Sequence, residues 1–372
     1  MRAAIETSLT TSRRTTGIGN YVQGLVGELV KKRYQVEVWD SLGEWGLRIP
    51  GAKIPNGVLR KLFYLLWLNI AFPFILRRRG IDVAHFTNFI PPLLTFVKPC
   101  PYVITVHDVH ALKYSKYNRL YRAYRSFMLS RAVRIADSII VPSSHAKQDV
   151  CSTLKAPETK VHVVYHAVTD DFLINETDVL SFEQRKHILG VGPLSLRKNH
   201  TALIRAYASL LRRNPSFCYD LVITGDLRDK ASEPLAEIID LEGVGNRVHL
   251  VGHVDKPTLR KLYQEAVLFV YPSQYEGFGF PCLEAMASGT PVIASNVTSL
   301  PEVVGDAGIL VDPNDVQAIA NAMLYLIGHP NEWSRYVKLG LERARKFSWS
   351  RAADETWAVY EKAYRNASRK AG

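Results

Sequence analysis

Tyr271 to Leu300, YPSQYEGFGFPCLEAMASGTPVIASNVTSL, is the stretch that decides the fold of this 372-residue chain. Val267 to Tyr271 reads as a short buried strand, and Gly277, Phe278 and Gly279 lead to Pro281, whose fixed φ suits the first turn of a helix over Pro281 to Ser288. Free backbone N–H groups at such a helix start form an anion site. Glu276 lies in the loop before the helix and Glu284 inside it, so both can face the carboxyl end of the strand. Carboxylates accept hydrogen bonds from hydroxyls of the kind a sugar carries. Gly289 then closes the helix, and Pro291 to Ala294 starts the next strand.

Around this segment, apolar strands alternate with helical patterns and short loops, the pattern of an α/β chain with parallel sheets. At 372 residues and 47% hydrophobic side chains the chain exceeds the size at which single cores stop growing, so two domains are expected. No internal repeat, heptad run or low-complexity tract is visible. Cys100, Cys151, Cys218 and Cys282 are scattered without a CxxC pair or a His partner at ligand spacing, which points to buried reduced thiols rather than disulfides or a metal site. The amino terminus, MRAAIETSLTTSRR, lacks the apolar core of a secretory signal, and a cytoplasmic location is expected.

The charge is uneven. Residues 1–165 carry 24 Lys+Arg against 10 Asp+Glu, a balance of +14, while residues 166–372 come to −2. An anionic surface or ligand facing the first domain explains such asymmetry, whereas solubility alone does not require it. Two stretches concentrate it. Lys113 to Arg134 interleaves seven basic residues with Tyr114, Tyr117, Tyr121, Tyr124 and Phe127, and reads as either a solvated face or a membrane contact. The apolar run Leu62 to Leu76, framed by Arg60-Lys61 and Arg77-Arg78-Arg79, is shorter than a bilayer span of ~20 residues and is interrupted by Pro73. It reads as a core helix or as a helix lying in the membrane interface. No nucleic-acid-binding module accompanies these basic stretches, and nucleic acid is not expected as a partner.

Among single residues, His107 follows the apolar strand Tyr102 to Val106, so its ring stands at a strand end facing the crevice where α/β folds bind ligands, or caps the next helix. Asp108 beside it is a helix cap, a supporting partner or an acceptor contact. Gly17 and Gly19 form a GxG, weak by itself. Arg197 and Lys198 precede a helix. Basic residues are unfavourable at that end of a helix dipole unless an anion is shared there, which favours a diphosphate clamp over a solvated pair.

Taken together, Glu276 and Glu284 with the glycines between them and GTPVIAS behind resemble the E-x7-E motif of retaining glycosyltransferases of the GT-B architecture, two facing Rossmann-like domains with parallel sheets and a cleft between them. The nearest resemblance is to glycosyltransferase family 4, and within it to bacterial O-antigen and exopolysaccharide mannosyltransferases. It extends over nearly the whole chain, through Gly17-Ile18-Gly19-Asn20-Tyr21, Thr105-Val106-His107-Asp108, Ser143-Ser144-His145-Ala146, Val191-Gly192-Pro193, Arg197-Lys198-Asn199, LVITGD at Leu221, VHLVG at Val248 and Phe347-Ser348-Trp349. Two positions depart from the pattern: His166 stands where relatives usually carry Gly, and Pro193 where many carry Arg.

The resemblance implies an amino-terminal acceptor domain over residues 1–165, a nucleotide-sugar domain over 166–347, and a helix over 348–372 that crosses back to the first. It implies that Glu276 holds donor-sugar hydroxyls, that Glu284 holds the ribose, and that the amides of Gly277, Phe278, Gly279 and Phe280 meet the diphosphate with Arg197 and Lys198. Gly17 and Gly19, in a Gly-rich loop before the first helix, would approach the donor phosphates, Asn20, Tyr21 and Asp108 the acceptor, Gly252 and His253 the base, and His107 the reacting centre. The implied activity is retaining, metal-independent transfer of a hexose, foremost mannose from GDP-mannose, to a glycan or lipid-linked oligosaccharide acceptor at the inner membrane face, without a cofactor. A UDP-sugar donor such as UDP-glucose, and a non-catalytic scaffold or sugar-nucleotide-binding subunit, remain as alternatives. With no DxD motif and no convincing nucleophile, same-face attack with proton transfer to the leaving phosphate is the expected chemistry.

Overall fold

The computed structural model describes residues 1–7, 17–40, 47–48, 64, 66–88, 91–92, 98–113, 119–226 and 234–371. They form two compact units, Met1–His166 with Trp349–Gly372, and Ala167–Ser348.

The first unit is built on a seven-stranded sheet of order β3-β2-β1-β4-β5-β6-β7. Its strands are β1 (Ala3–Glu6), β2 (Val36–Asp40), β3 (Leu47–Arg48), β4 (Val83–Phe86), β5 (Tyr102–Thr105), β6 (Ser138–Val141) and β7 (Val161–Val163), and every pairing is parallel. The central strands β1, β4, β5 and β6 are buried at every position, as sequences such as SIIV require when both sheet faces are covered. Because right-handed crossovers are the rule, the helix Gly17–Lys31, which leads leftward from β1, lies on one face. The helices Phe72–Arg78, Arg119–Ile135 and Ser144–Leu154 lead rightward and lie on the other, where Leu68, Phe72, Leu76, Leu129, Val133 and Val150 share one core.

The core-helix expectation for the apolar run holds in that layer. One side of the run buries Trp67, Leu68, Phe72 and Leu76, while Leu66, Ile70 and Phe74 are exposed; positions 60–63 and 65 lie outside the described residues. The basic helix Arg119–Ile135 buries Met128, Leu129, Ala132 and Val133 and exposes Leu120, Tyr121, Tyr124 and Phe127. Positions 114–118 of that stretch lie outside the described residues. No helix among the described residues is long and apolar enough to cross a membrane.

The opposite face carries the helix Trp349–Ala371, which packs on Gly17–Lys31. The Trp349 indole sits so close to Gly24 that a Cβ there would lie 2.2 Å from the ring. Tyr34 stacks on Trp357 at 4.4 Å, and Asp354 accepts from Lys32 at 2.6 Å and from Tyr34 at 2.9 Å.

The second unit has a six-stranded sheet of order β10-β9-β8-β11-β12-β13. It comprises β8 (His187–Val191), β9 (Asp220–Thr224), β10 (Val248–Gly252), β11 (Ala266–Tyr271), β12 (Val292–Ser295) and β13 (Gly308–Val311), again all parallel. Counted within the unit this is the order 3-2-1-4-5-6 of a doubly wound sheet, with its switch point between β8 and β11, where the chain turns from one side of the sheet to the other. The first unit has the same opening between β1 and β4. Buried Arg185 donates to the carbonyls of Gln264 at 2.6 Å, Gly289 at 2.8 Å and Leu180, so a guanidinium bonded to carbonyl oxygens ties the entry of β8 to the start of β11. Cys100 and Cys282 are buried as expected, but Cys218, in the connection before β9, is exposed and Cys151 only half-buried.

Candidate active site

In the second unit the loops after β8 and β11 converge at the switch point. After β8, Gly192 adopts φ +134 and the chain turns through Arg197 and Lys198 to Asn199, which takes a left-handed conformation before the helix His200–Arg213. Gly225, at the end of neighbouring β9, touches this turn so closely that a Cβ would lie 1.8 Å from the Gly192 carbonyl oxygen. After β11, Ser273 to Glu276 lead to Gly279 at φ +125 and the helix Phe280–Ala287. The two loops are joined by backbone, Gln274 N–H donating to the Arg197 carbonyl at 2.8 Å.

Glu276 is the hub. Its Oε1 accepts from Ser273 Oγ at 2.6 Å, Lys198 Nζ at 2.7 Å, Arg197 Nη1 at 2.8 Å and the Tyr271 hydroxyl at 2.9 Å. None of these bonds uses Oε2. The anion expected beside Arg197 and Lys198 was a diphosphate; the one the structure shows is the protein's own Glu276, and the trio of two cations and one carboxylate keeps a net positive charge. Burial alone would raise the Glu276 carboxyl, but Arg197 and Lys198 override it and hold the group at about 2. Burial, with Arg197 alongside, pulls the Lys198 ammonium down to about 8 against the opposing effect of Glu276. Lys198 is thus a cation at neutral pH that stands close to losing its proton.

Ser299 Oγ donates to the carbonyls of Phe278 at 2.6 Å and Glu276 at 3.0 Å, pinning the Gly277 to Phe280 loop to the next helix. Phe278 is buried with its ring edge-on to Phe280 at 5.3 Å. At Gly279 a Cβ would meet Leu300 at 2.8 Å, so the loop needs glycine for space as well as for φ. Glu284 is buried in the first turns of the helix and accepts from Tyr263 at 3.1 Å. Burial lifts its carboxyl to about 7, despite the Tyr263 hydroxyl and the nearby Lys256 and Lys198.

Gly252 ends β10 at φ +71, its carbonyl accepting from Thr224 Oγ1 at 2.7 Å and from Gly225 N–H at 3.0 Å, and His253 after it is exposed. β10 is three strands from β11, so the carboxyl ends of these strands, Gly252 and Tyr271, are about three strand spacings, ~14 Å, apart across the sheet.

In the first unit His107 follows β5, and its Nε2 lies 3.0 Å from the Thr87 carbonyl at the end of β4. A carbonyl only accepts, so Nε2 carries the proton and Nδ1 of the neutral ring is an acceptor. Burial lowers the His107 pKa, with the Thr87 bond and Asp108 opposing, which keeps the ring neutral at neutral pH. Asp108 takes the capping alternative: it accepts from His110 N–H at 3.2 Å and pairs with the His110 ring at 2.5 Å.

The amino-terminal GxG differs from expectation. Gly17, Gly19 and Asn20 belong to the first turn of the helix Gly17–Lys31 itself, not to a loop before it, since Gly17 already has helical backbone. Tyr21 is fully buried with its hydroxyl 2.9 Å from Thr105 Oγ1, so it supports the site from beneath and does not present itself to an acceptor. Its ring meets His107 edge-on at 5.0 Å.

Four contributors escaped the sequence reading. Tyr271 and Ser273 lie inside the quoted stretch, and the sign available was a hydroxyl at the end of an apolar strand. Tyr263 carries no such sign. His166 had one, a ring where glycine is usual: it fills the space between Tyr21 at 4.5 Å and Trp349 at 5.9 Å.

Two doubly wound parallel sheets, the second with a polar constellation at its switch point, are the architecture of GT-B glycosyltransferases. Residues 15–172 match the family described as Glycosyltransferase Family 4, and residues 174–343 match Glycosyl transferases group 1. The chain belongs to this glycosyltransferase family. It is 33% identical to O-antigen chain mannosyltransferase B of Escherichia coli over 63% of its own length and 62% of that protein's. It is 29% identical to an uncharacterized glycosyltransferase of Methanocaldococcus jannaschii over 97% and 98% of the two chains. Its fold matches sucrose-phosphate synthase of Thermosynechococcus elongatus with a TM-score of 0.79 at 23% identity, covering 98% of this chain and 100% of that one.

Proposed function

We propose that this glycosyltransferase transfers mannose from GDP-mannose, with retention of anomeric configuration, to a glycan or lipid-linked glycan of a cell-surface polysaccharide. The observation that carries the reading is the Arg197, Lys198 and Glu276 cluster at the switch point of the second sheet, a site with spare positive charge whose bonds to Glu276 fall on one carboxylate oxygen. The likeness to a mannosyltransferase supports the choice of sugar.

In this reading Arg197, Lys198 and the amides at the start of the helix Phe280–Ala287 receive the diphosphate, whose charge grows as the glycosidic bond breaks. Glu276 Oε2 accepts from hexose hydroxyls, and Glu284 from the ribose. Gly252 and His253, at the carboxyl end of β10, would receive the base. On the first unit, Nδ1 of His107 accepts a hydroxyl hydrogen, and Gly17, Gly19 and Asn20 offer the helix start to phosphate or acceptor. Neither a divalent cation nor a cofactor takes part: the cationic pair performs the neutralisation.

The acceptor is placed at an anionic membrane surface. Leu66, Ile70 and Phe74, ending in Arg77, Arg78 and Arg79, and Leu120, Tyr124 and Phe127, flanked by Arg119, Arg122 and Arg131, are exposed apolar stripes on the same sheet face. Neither stretch contains a carboxylate. Such stripes suit a peripheral association at the cytoplasmic leaflet.

The deciding experiment is a thermal-shift panel with GDP-mannose, GDP, UDP-glucose, UDP and NAD, followed by turnover with and without EDTA and product stereochemistry by NMR. Stabilisation by GDP species alone supports the reading, and stabilisation by UDP species alone replaces the donor. No shift with any sugar nucleotide sinks it in favour of a scaffold. Sedimentation with anionic and with neutral vesicles tests the surface, and equal binding to both removes the anionic membrane from the proposal.

A further inference from the structure

β11 is buried at all six positions, and its side chains are otherwise apolar or aromatic without charge partners. Tyr271 at its carboxyl end is fully buried too, and a Phe would fill the same space. What the hydroxyl adds is specific: it donates to Glu276 Oε1 at 2.9 Å and accepts from the Lys198 ammonium, which also lies 4.7 Å from the ring centroid. A buried hydroxyl needs partners, and here both partners are charged groups of the donor cluster.

We propose that Tyr271 is a positioning residue for sugar transfer, whose hydroxyl locks the Lys198 ammonium to the Glu276 carboxylate so that Lys198 meets the leaving diphosphate while Oε2 stays open to the hexose. The role rests on reading this cluster as the donor site. Three constraints act on Lys198: the carboxylate, the hydroxyl and the ring face. Tyr271→Phe removes only the hydroxyl. The ammonium then keeps one oxygen partner and gains freedom on its four-carbon stem, and the carboxylate loses one of four donors on a single oxygen.

The test uses the full chain carrying 13C-labelled lysine, with the Lys198 signal assigned by its loss in Lys198→Arg. In Tyr271→Phe the Lys198 titration midpoint is expected to fall by about one pH unit, because a bond to the charged form is lost. The basic limb of the donor kcat/KM profile should move the same way, with kcat/KM down about tenfold and acceptor KM unchanged. A wild-type midpoint and limb in the variant, even alongside lower thermal stability, overturns the positioning role. So does a shifted midpoint with unaltered donor kinetics. If the wild-type chain itself binds no sugar nucleotide, the donor-site reading fails and takes this role with it.

Discussion

Tyr263 donates its hydroxyl to Glu284 at 3.1 Å, and both side chains are buried. One neutral donor does not offset the burial of a full negative charge, and the carboxyl consequently sits at about 7 against an ordinary 4.5. A folded-state pKa above the unfolded one contributes stability that is present below about 4.5 and is lost as pH rises through about 7. Glu284→Gln keeps an acceptor for Tyr263 and removes the ionisation. The variant should match the wild type near pH 4.5 and exceed it at pH 8 by up to roughly 3 kcal/mol in urea unfolding, while losing nucleotide affinity. A stability difference that is equal at both pH values would contradict the assignment.

Donor binding should have its own pH window. Lys198 at about 8 must be charged to hold a diphosphate, and Glu284 at about 7 must be ionised to accept from a ribose. Affinity therefore rises as pH climbs through about 7 and falls, by up to tenfold per unit, above about 8. Calorimetry with GDP and UDP in buffers of different ionisation enthalpy reads both limbs. A Kd flat from pH 6 to 9 would remove both groups from the nucleotide site.

Glu276 has two duties that substitution can separate. Glu276→Ala leaves Arg197 and Lys198 as like charges with their shared anion gone, and should cost about 3–5 kcal/mol of stability. Glu276→Gln keeps an oxygen for the donors at Oε1 but no charge, and should fold more stably than the alanine variant while losing transfer. Equal stability of the two variants, by urea unfolding at pH 7, would argue against the ion cluster as a structural element.

Much of this was legible beforehand because the physics is local. An apolar strand followed by EGFGFPCLE has few ways to proceed, and glycine positions that need unusual φ or close approach mark the turn. Two basic residues before a helix called for an anion, though the reading named a diphosphate and not the Glu276 carboxylate that lies against them. The rest was out of reach for reasons equally physical. Tyr263 meets Glu284 across an unpredictable helix contact, and Tyr21 carries a polar group whose burial depends on Thr105, brought near only by strand pairing. Helix beginnings are poorly encoded at glycines, hence the displacement at Gly17.

Gly225 offers a test of the scaffold alone. With the Gly192 carbonyl oxygen 1.8 Å from where a Cβ would stand, Gly225→Ala must move backbone, not a side-chain tip. A loss of about 1–3 kcal/mol or more is expected, with weaker donor binding because the displaced turn carries Arg197 and Lys198. Unchanged unfolding and unchanged Kd would show that the two strand ends are free to separate.

The Gly24 and Trp349 contact joins two parts of one unit that the whole of Ala167–Ser348 separates in the chain. During synthesis, then, the helix Gly17–Lys31 leaves the ribosome long before the indole that covers it, and its groove waits while the second unit is made. The second unit can close on residues already translated; the first completes only when the last helix arrives. The order of birth and the order of folding are in this respect reversed, and the nascent first unit is the stage at which a chaperone would find most to hold.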